Sequence, residues 1–489
     1  MRIAIVDLNN FSRYPTLSVG QIAAILRQAG HEVTVISPFA VGVGSYRRVT
    51  RPHALGYYES VLRHATAVSG VQAVRALRRK LAAARSPARA RAQAATLAEV
   101  QGVLDRGTDL LLISAYSMYR EVCGAIAAEA ARRGVPVVVG GPMFGMPEIA
   151  AHWLDLPGMS GVFAGEAEGH LLDLVDSVMG GGHAVPGLAT PDRPDLVPAA
   201  PFADFDALPF PDYADFPWDR YPNRIVPMMT GRGCGWGVCT FCSDVRTSAG
   251  RTFRSRSFAH VRDEMAWQSR RHRTGIFTFL DLKLNSDLAV WHGLIDEAQS
   301  VVPGCEWTAS VHVQTNGETG LGSEALKAAR RAGLSRITTG LESAAQGVLN
   351  AMGRGTTAEA LSRFVRHASE AGISVRMTSI LGYPGETAED VRLTARFLAD
   401  HRPYIDRVVV NRLAIVGDTP LGQAIRRSPE RYPQIGALAP NLETGLIDHE
   451  NATFRSPGHL PAVLQMLHEV YRINRKPLKG ASLTFEGVM

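Results

Sequence analysis

Short runs of β-branched apolar residues alternate along this chain with longer stretches of helical period, the pattern of buried parallel strands joined by crossover helices. In the first part it predicts strands at Ile3–Val6, Glu32–Ile36, Leu110–Ile113, Val135–Val139 and Gly161–Ala164, with helices at Val19–Gly30 and Arg120–Gly134. An Arg- and Ala-rich insertion of about 45–105 separates the second and third strands. Residues 185–225 carry Pro198, Pro201, Pro209, Pro211, Pro217 and Pro222, too many prolines for regular structure, and read as a connector. Alternation resumes with strands at Ile225–Met229, Ile276–Leu280, Glu306–Val311, Arg336–Thr339, Ser374–Ile380 and Arg407–Val410. The expected architecture is α/β, with a doubly wound domain at 1–184, the connector, a second parallel-strand domain at 226–430, and a small, mainly helical region at 431–489 whose clearest helix is Leu460–Asn474.

A length of 489 residues agrees with more than one domain. No stretch approaches the roughly 18 uninterrupted apolar residues of a membrane span, and the apolar run that ends at Asp7 is too short for a signal-peptide core. A cytoplasmic protein with no membrane partner is expected. The five cysteines are an odd number, and three fall within nine positions, which suits metal ligation in a reducing compartment better than a disulfide framework. The net charge of +6 hints at a nucleic-acid partner, but 47 of the 52 cations are arginine in an Ala-, Gly- and Pro-rich chain, which weakens that inference. The basic stretch Arg75, Arg78, Arg79, Lys80, Arg85, Arg89 and Arg91 has helical spacing and reads first as a solvated helix face, with an acidic or phosphate-bearing partner as the alternative.

The segment Thr230-Gly-Arg-Gly-Cys234-Gly-Trp-Gly-Val-Cys239-Thr-Phe-Cys242 follows a predicted strand. Its glycines let a loop fold tightly around a bulky group, and Cys239-x2-Cys242 is a close thiolate pair of the kind both zinc and iron–sulfur clusters use. Spacing alone leaves both metals open. A structural zinc site normally has four ligands, however, and Cys123 and Cys305 are solitary and read as buried apolar residues.

These residues resemble the radical S-adenosylmethionine superfamily, whose three-cysteine loop has an aromatic before its last cysteine, as Phe241 is here. The four residues between Cys234 and Cys239 exceed the usual three. The resemblance implies a partial (β/α)6 TIM-like barrel, a 4Fe-4S cluster on Cys234, Cys239 and Cys242, and S-adenosylmethionine at its open iron. It extends to Gly340-Leu-Glu342-Ser343, implying ribose or methionine contacts by Glu342 and Ser343, and to Ile380-Leu-Gly382-Tyr-Pro-Gly385-Glu386-Thr387, implying adenine contacts by Ile380 and Gly382. It assigns Asp281 and Asn285 to the methionine amine and Arg376 to its carboxylate. Read without the resemblance, Pro384–Thr387 is a turn into a helix capped by Thr387.

In a doubly wound sheet the ligand crevice lies at the carboxyl ends of the strands. The loops there contain Pro15, Thr16, Leu17 and Ser18; Ser114, Tyr116 and Ser117; Gly140, Gly141, Pro142 and Met143; and Gly165, Glu166 and Glu168. They resemble the Rossmann-like cobalamin-binding domain that precedes the cluster domain in one branch of the superfamily, and cobalamin contacts by these residues follow from that resemblance. Asn9 stands where cobalamin domains with a lower histidine ligand carry that histidine. No G-x-G-x-x-G fingerprint supports a dinucleotide instead.

The activity implied is C-methylation of an unactivated carbon of a natural-product intermediate or peptide, through a 5′-deoxyadenosyl radical and methylcobalamin, with an external flavodoxin- or ferredoxin-type electron donor. Rearrangement or cyclisation without methyl transfer uses the same cofactors. Modification of transfer RNA is disfavoured, because no second cysteine triad precedes Cys234. A zinc-stabilised ligand-sensing module is the non-enzymatic alternative. His468, Tyr471, Arg472, Asn474, Arg475 and Lys476 are expected at a solvated helix end or over the barrel mouth.

Overall fold

The computed structural model describes the chain except residues 10–12, 44–55, 70–72, 75–76, 79, 81–85, 244–245, 248–249, 252, 444 and 489, and the side chains at 86–89, 246–247, 250–251, 437 and 481. Arg75, Arg79 and Arg85 of the basic stretch therefore lie outside the described residues.

The N-terminal sheet is built from β1 (Arg2–Asp7), β2 (Glu32–Ile36), β3 (Leu110–Ser114), β4 (Val137–Gly140), β5 (Gly161–Phe163) and β6 (Leu188–Ala189) in the order β2-β1-β3-β4-β5-β6. The first five are parallel, and β6 returns antiparallel to β5. The expected domain edge at 184 thus falls short, since the first residues of the connector complete this sheet. The apolar runs of β1, β3 and β4 are buried because helices cover both faces.

The proline-rich connector has little regular structure and is well anchored. Asp212 N donates to Gly20 O at 2.9 Å, Gln268 Nε2 donates to Pro211 O at 2.9 Å, and Arg27 pairs with both Asp212 and Asp215. Tyr213, fully buried, lies against Gly20, where any Cβ would run into its ring, and donates its hydroxyl to Pro227 O at 2.9 Å. This one side chain joins the first helix of the N-terminal domain to the first strand of the next domain.

That strand, β7 (Val226–Met228), leads through four two-residue strands, β8 (Gly231–Arg232), β9 (Arg246–Thr247), β10 (Gly250–Arg251) and β11 (Arg254–Ser255), into β12 (Ile276–Phe279), β13 (Glu306–Ser310), β14 (Leu334–Glu342), β15 (Ser374–Leu381) and β16 (Arg407–Arg412). The order β16-β15-β14-β13-β12-β7 is sequential and parallel throughout, a partial barrel with helices outside. Thr387 caps the helix Ala388–Asp400 through a capping box with Asp390, as its spacing predicts.

The C-terminal region adds an antiparallel hairpin, β17 (Ile435–Asn441) and β18 (Leu446–Asn451), to the helix His459–Asn474. The last residues close the starting end of the barrel. Arg336 donates to Phe485 O and Ser482 O, Arg376 to Val488 O, and Arg407 to Lys476 O and Glu486. Lys476 Nζ donates to Arg402, Pro403 and Ile405 carbonyls, and the Asn474 amide bonds both backbone groups of Val408. This segment therefore does not reach the mouth of the barrel; the cationic side chains seek backbone carbonyls at its opposite end. His468 and Tyr471 contact Tyr57 of the insertion instead.

Replacing Tyr213 by Ala removes a fully buried aromatic ring and should cost about 3–5 kcal/mol. Tyr213→Phe, which loses only the hydroxyl bond to Pro227, should cost about 1 kcal/mol. Urea unfolding of both variants measures the difference.

Candidate functional site

The cysteine loop begins where β7 ends and is tied to the ends of the neighbouring strands. Asp281, just past β12, accepts from Thr230 N, Thr230 Oγ1 and Gly231 N at 2.7–3.1 Å. Gly235 N donates to Ser286 Oγ at 3.0 Å, Trp236 Nε1 to Gly353 O at 2.8 Å, and Thr240 N to Met352 O at 2.9 Å. Thr240 Oγ1 and Tyr383 OH lie 2.8 Å apart, and Tyr383 OH donates to Ala351 O at 2.7 Å. Gly355 has a φ of 59°, and a Cβ there would meet the Trp236 ring. The four-residue spacing between Cys234 and Cys239 thus holds a tryptophan that locks the loop onto residues 353–355.

Charge gathers around the sulfurs. Arg354 is buried, with Nη2 donating to Gly340 O at 3.0 Å and Nη1 3.6 Å from Cys239 Sγ. Glu342 lies at a bulge that ends β14, with a φ of 56°, a conformation costly for a residue with a Cβ. Thr378 Oγ1 donates to its Oε1 at 3.1 Å, while the buried Oε2 has no hydrogen-bond partner among the described residues. Burial pushes the Glu342 carboxyl upward, opposed by Arg354, Lys283 and Thr378. Lys283 is held below its ordinary range by burial and by Arg354, while Glu342, Cys234 and Cys242 act in the opposite direction. Two cations, one carboxyl and three sulfurs therefore share one partly enclosed place. Arg354 was hidden in Gly353-Arg-Gly355, a glycine-bracketed arginine like Gly231-Arg-Gly233, and Lys283 is one of only five lysines in the chain.

Among the described residues, no three His, Cys, Asp or Glu side chains converge as the ligands of a single metal ion do. The three cysteines would instead fit an iron–sulfur cluster, whose negative charge Arg354 and Lys283 would offset.

The other predicted residues divide. Phe241 and Ile380 meet in one apolar group with Met352 and Tyr383, beside Gly382. Gly382 N donates to Glu386 and its carbonyl accepts from Asn451 Nδ2, so neither backbone group is open to a ligand; Phe454 packs where a Cβ would stand. Asp281 holds the loop, and Asn285 clamps His312 and Thr319. Ser343 is fully buried, its hydroxyl close to Thr394 Oγ1 and accepting from Ala345 N. Arg376 is the clearest correction: its guanidinium binds Val488 O at the starting end of the barrel, away from the cysteine loop, because the C-terminal carbonyls lie within its reach.

On the N-terminal sheet, the loops after β1, β3 and β4 share one edge. Asn9 Nδ2 donates to Ser114 Oγ at 2.9 Å, and Thr16 Oγ1 to Asp7 Oδ2 at 2.7 Å. Gly141 passes so close to Ala115 O that no Cβ fits. Leu17, Tyr116, Ser117, Gly140 and Met143 are half-buried and Ser18 and Pro142 exposed, while Pro15 is buried. The hairpin turn at Gly445 packs on Met143, Met146 and Ile149. Glu166 and Glu168 are engaged elsewhere. Arg254 binds Glu166 through both amino groups, Arg232 pairs with Glu166 and Glu168, and both guanidinia lie over Phe205 at 5.2–5.3 Å. Gly165 packs on Ala199. These three residues thus form a clamp between the N-terminal sheet and the start of the cysteine loop, because two arginines of the barrel domain compete for the carboxylates.

Residues 228–398 match the family model described as the Radical SAM superfamily. The chain is 29% identical over 292 residues to an uncharacterized methyltransferase of Pyrococcus horikoshii, covering 58% of this chain and 61% of that protein. It is 27% identical over 263 residues to an anaerobic magnesium-protoporphyrin IX monomethyl ester cyclase of Rubrivivax gelatinosus, covering 51% and 46% respectively. The matches thus span only about half to three-fifths of these relatives' lengths. The fold is that of the radical S-adenosylmethionine methyltransferase TsrM from Kitasatospora setae, solved with cobalamin and a [4Fe-4S] cluster: the TM-score is 0.61 at 19% identity, over 87% of this chain and 78% of that one. No helix among the described residues is long and apolar enough to cross a membrane.

Burial pushes the Asp281 carboxyl up to about 6, against the pull of its bonds from Thr230 and Gly231. With an unfolded value of about 3.9, the folded state holds this proton more tightly. Its contribution to stability should therefore fall as pH rises from about 4 to about 6 and stay level above. Urea midpoints across that range should show the decline in the apoprotein, and Asp281→Asn should remove it.

Proposed function

We propose, from the premise that residues 228–398 form a radical SAM domain, that this chain is a cobalamin-dependent radical SAM enzyme that methylates an unactivated carbon of a natural-product intermediate or peptide. The observation that carries this reading is the set of three cysteine sulfurs beside buried Arg354 and half-buried Lys283, at the barrel end where strands β12 to β15 finish. When bound, the cluster supplies the electron that splits S-adenosylmethionine, and cobalamin supplies the methyl carrier.

The chain's own residues position and enclose these partners. Cys234, Cys239 and Cys242 hold the cluster, and the Trp236, Thr240 and Asp281 bonds keep their loop in place. Phe241 and Ile380 offer an apolar wall to adenine. Glu342, with an unpaired buried oxygen, offers an acceptor for the cosubstrate's polar groups. Lys283 and Arg354, beside the sulfurs, take the place proposed for Arg376 as cations for the methionine carboxylate. On the N-terminal edge Ser114, Tyr116, Ser117, Gly140, Gly141, Pro142 and Met143 contact cobalamin, and the glycines permit close approach of its flat ring. Asn9 bonds Ser114 at the position where cobalamin domains with a histidine ligand carry that histidine, so this position would supply no imidazole to cobalamin. An external electron donor of flavodoxin or ferredoxin type supplies the electrons.

The similarity to a cyclase favours a second reading, cyclisation of the substrate without methyl transfer. Turnover with S-adenosylmethionine labelled in its methyl group distinguishes the two, since label in the product requires methyl transfer and unlabelled product excludes it. Cys239→Ala should keep the fold by circular dichroism and lose 5′-deoxyadenosine formation. Retained cleavage would overturn the assignment of the cysteines.

A further inference from the structure

Trp236, inside the cysteine loop, stacks on His312 with ring centroids 5.3 Å apart and planes at 29°. His312 follows β13, between the ends of β12 and β14, on the barrel face that carries Lys283 and Glu342. Its backbone is fixed from both sides, with its N–H donating to Asn285 Oδ1 at 2.9 Å and its carbonyl accepting from Asn285 Nδ2 at 3.0 Å. Ring stacking on one side and this backbone clamp on the other leave the imidazole little freedom.

The side chain is only 5% exposed, yet neither Nδ1 nor Nε2 has a hydrogen-bond partner among the described residues. Buried polar atoms are seldom left this way, because the lost hydration goes uncompensated. Burial first, then the charges of Arg354 and Lys283, push the imidazole down to about 3, opposed by a weak polar contact with the Arg354 backbone, so the ring is neutral near pH 7. A neutral imidazole offers one N–H and one lone pair, and so weak a base serves as a hydrogen-bonding group and not as a proton acceptor.

We infer that His312 is a ligand-contacting residue of the cysteine site, donating a hydrogen bond to an oxygen of S-adenosylmethionine, either its carboxylate or a ribose hydroxyl. This rests on the radical SAM reading. A cosubstrate bound beside the sulfurs must lie next to the loop that carries Trp236, and the polar groups already facing that space, Lys283, Arg354 and Glu342, suit the same molecule.

The test uses the full chain with its cluster reconstituted, and its primary readout is equilibrium binding of S-adenosylmethionine. His312→Phe keeps a ring for Trp236 and removes both nitrogens, and His312→Gln restores a donor and an acceptor. Iron content and thermal midpoint establish that each variant is folded and loaded. The Phe variant should bind S-adenosylmethionine about tenfold more weakly, as the loss of one hydrogen bond implies, and the Gln variant should recover part of the loss. Decarboxylated S-adenosylmethionine separates the two oxygens: if His312 meets the carboxylate, wild type and the Phe variant bind this analogue equally, and if it meets the ribose the tenfold gap persists. A folded, loaded Phe variant that binds S-adenosylmethionine as wild type does overturns the inference. A wild-type chain that takes up no iron and binds no S-adenosylmethionine instead overturns the radical SAM reading on which it rests.

Discussion

A group of sulfurs that is to carry negative charge needs cations in its surroundings, the more so the less water reaches it. Arg354 and Lys283 meet that need beside Cys234, Cys239 and Cys242, and they do so from two different strand ends. Backbone holds the first of these side chains, through the bond from Arg354 to Gly340 O. The bulge and left-handed conformation at Glu342 bring its carboxyl into the neighbourhood of Arg354, and the absence of a side chain at Gly340 leaves room for both. Local strain at one residue is thus retained by packing on all sides, as is common where a site must present a particular charge in a particular place.

The same loop is connected to the N-terminal domain. Arg232, two residues before Cys234, reaches Glu166 and Glu168, and Arg254, paired with it through β8 and β11, reaches Glu166. Phe205 of the connector lies between the two guanidinia. Few of these groups are well exposed, so screening by salt weakens the clamp less than it would a surface pair. The proline-rich connector is accordingly a structural part of the interface: its prolines disfavour helix and strand, and its aspartates and aromatics supply the bonds that join the two domains.

The opposite end of the barrel is closed in a different way. Arg336, Arg376 and Arg407, on three adjacent strands, point into the barrel and would be costly there without acceptors. The C-terminal carbonyls provide them, and Phe485 and Val488 bring apolar surface against Tyr14 of the N-terminal domain and Ile225 of the barrel. An arginine on a barrel strand therefore says little about which end it serves. That is why Arg376 reads, from its place before Ile380, as a cosubstrate ligand, when the chain uses it as a clamp for its own last residues.

The long strands of the two sheets and their parallel pairing were legible in the sequence because they follow from short-range patterns: apolar runs of strand length with helical periods between them. The cysteine loop was legible for the same reason, since its three cysteines lie within nine consecutive residues. Capping at Thr387 is equally local. What only the tertiary structure decided is which charged and polar side chains face the sulfurs and which are taken up by the scaffold. Lys283, His312 and Arg354 come from loops after three different strands, and Glu166 and Glu168 are drawn from the predicted ligand edge by arginines far along the chain. Such neighbours are set by how strand ends align in the barrel and by where the two domains meet, and no periodicity or spacing within a segment records either.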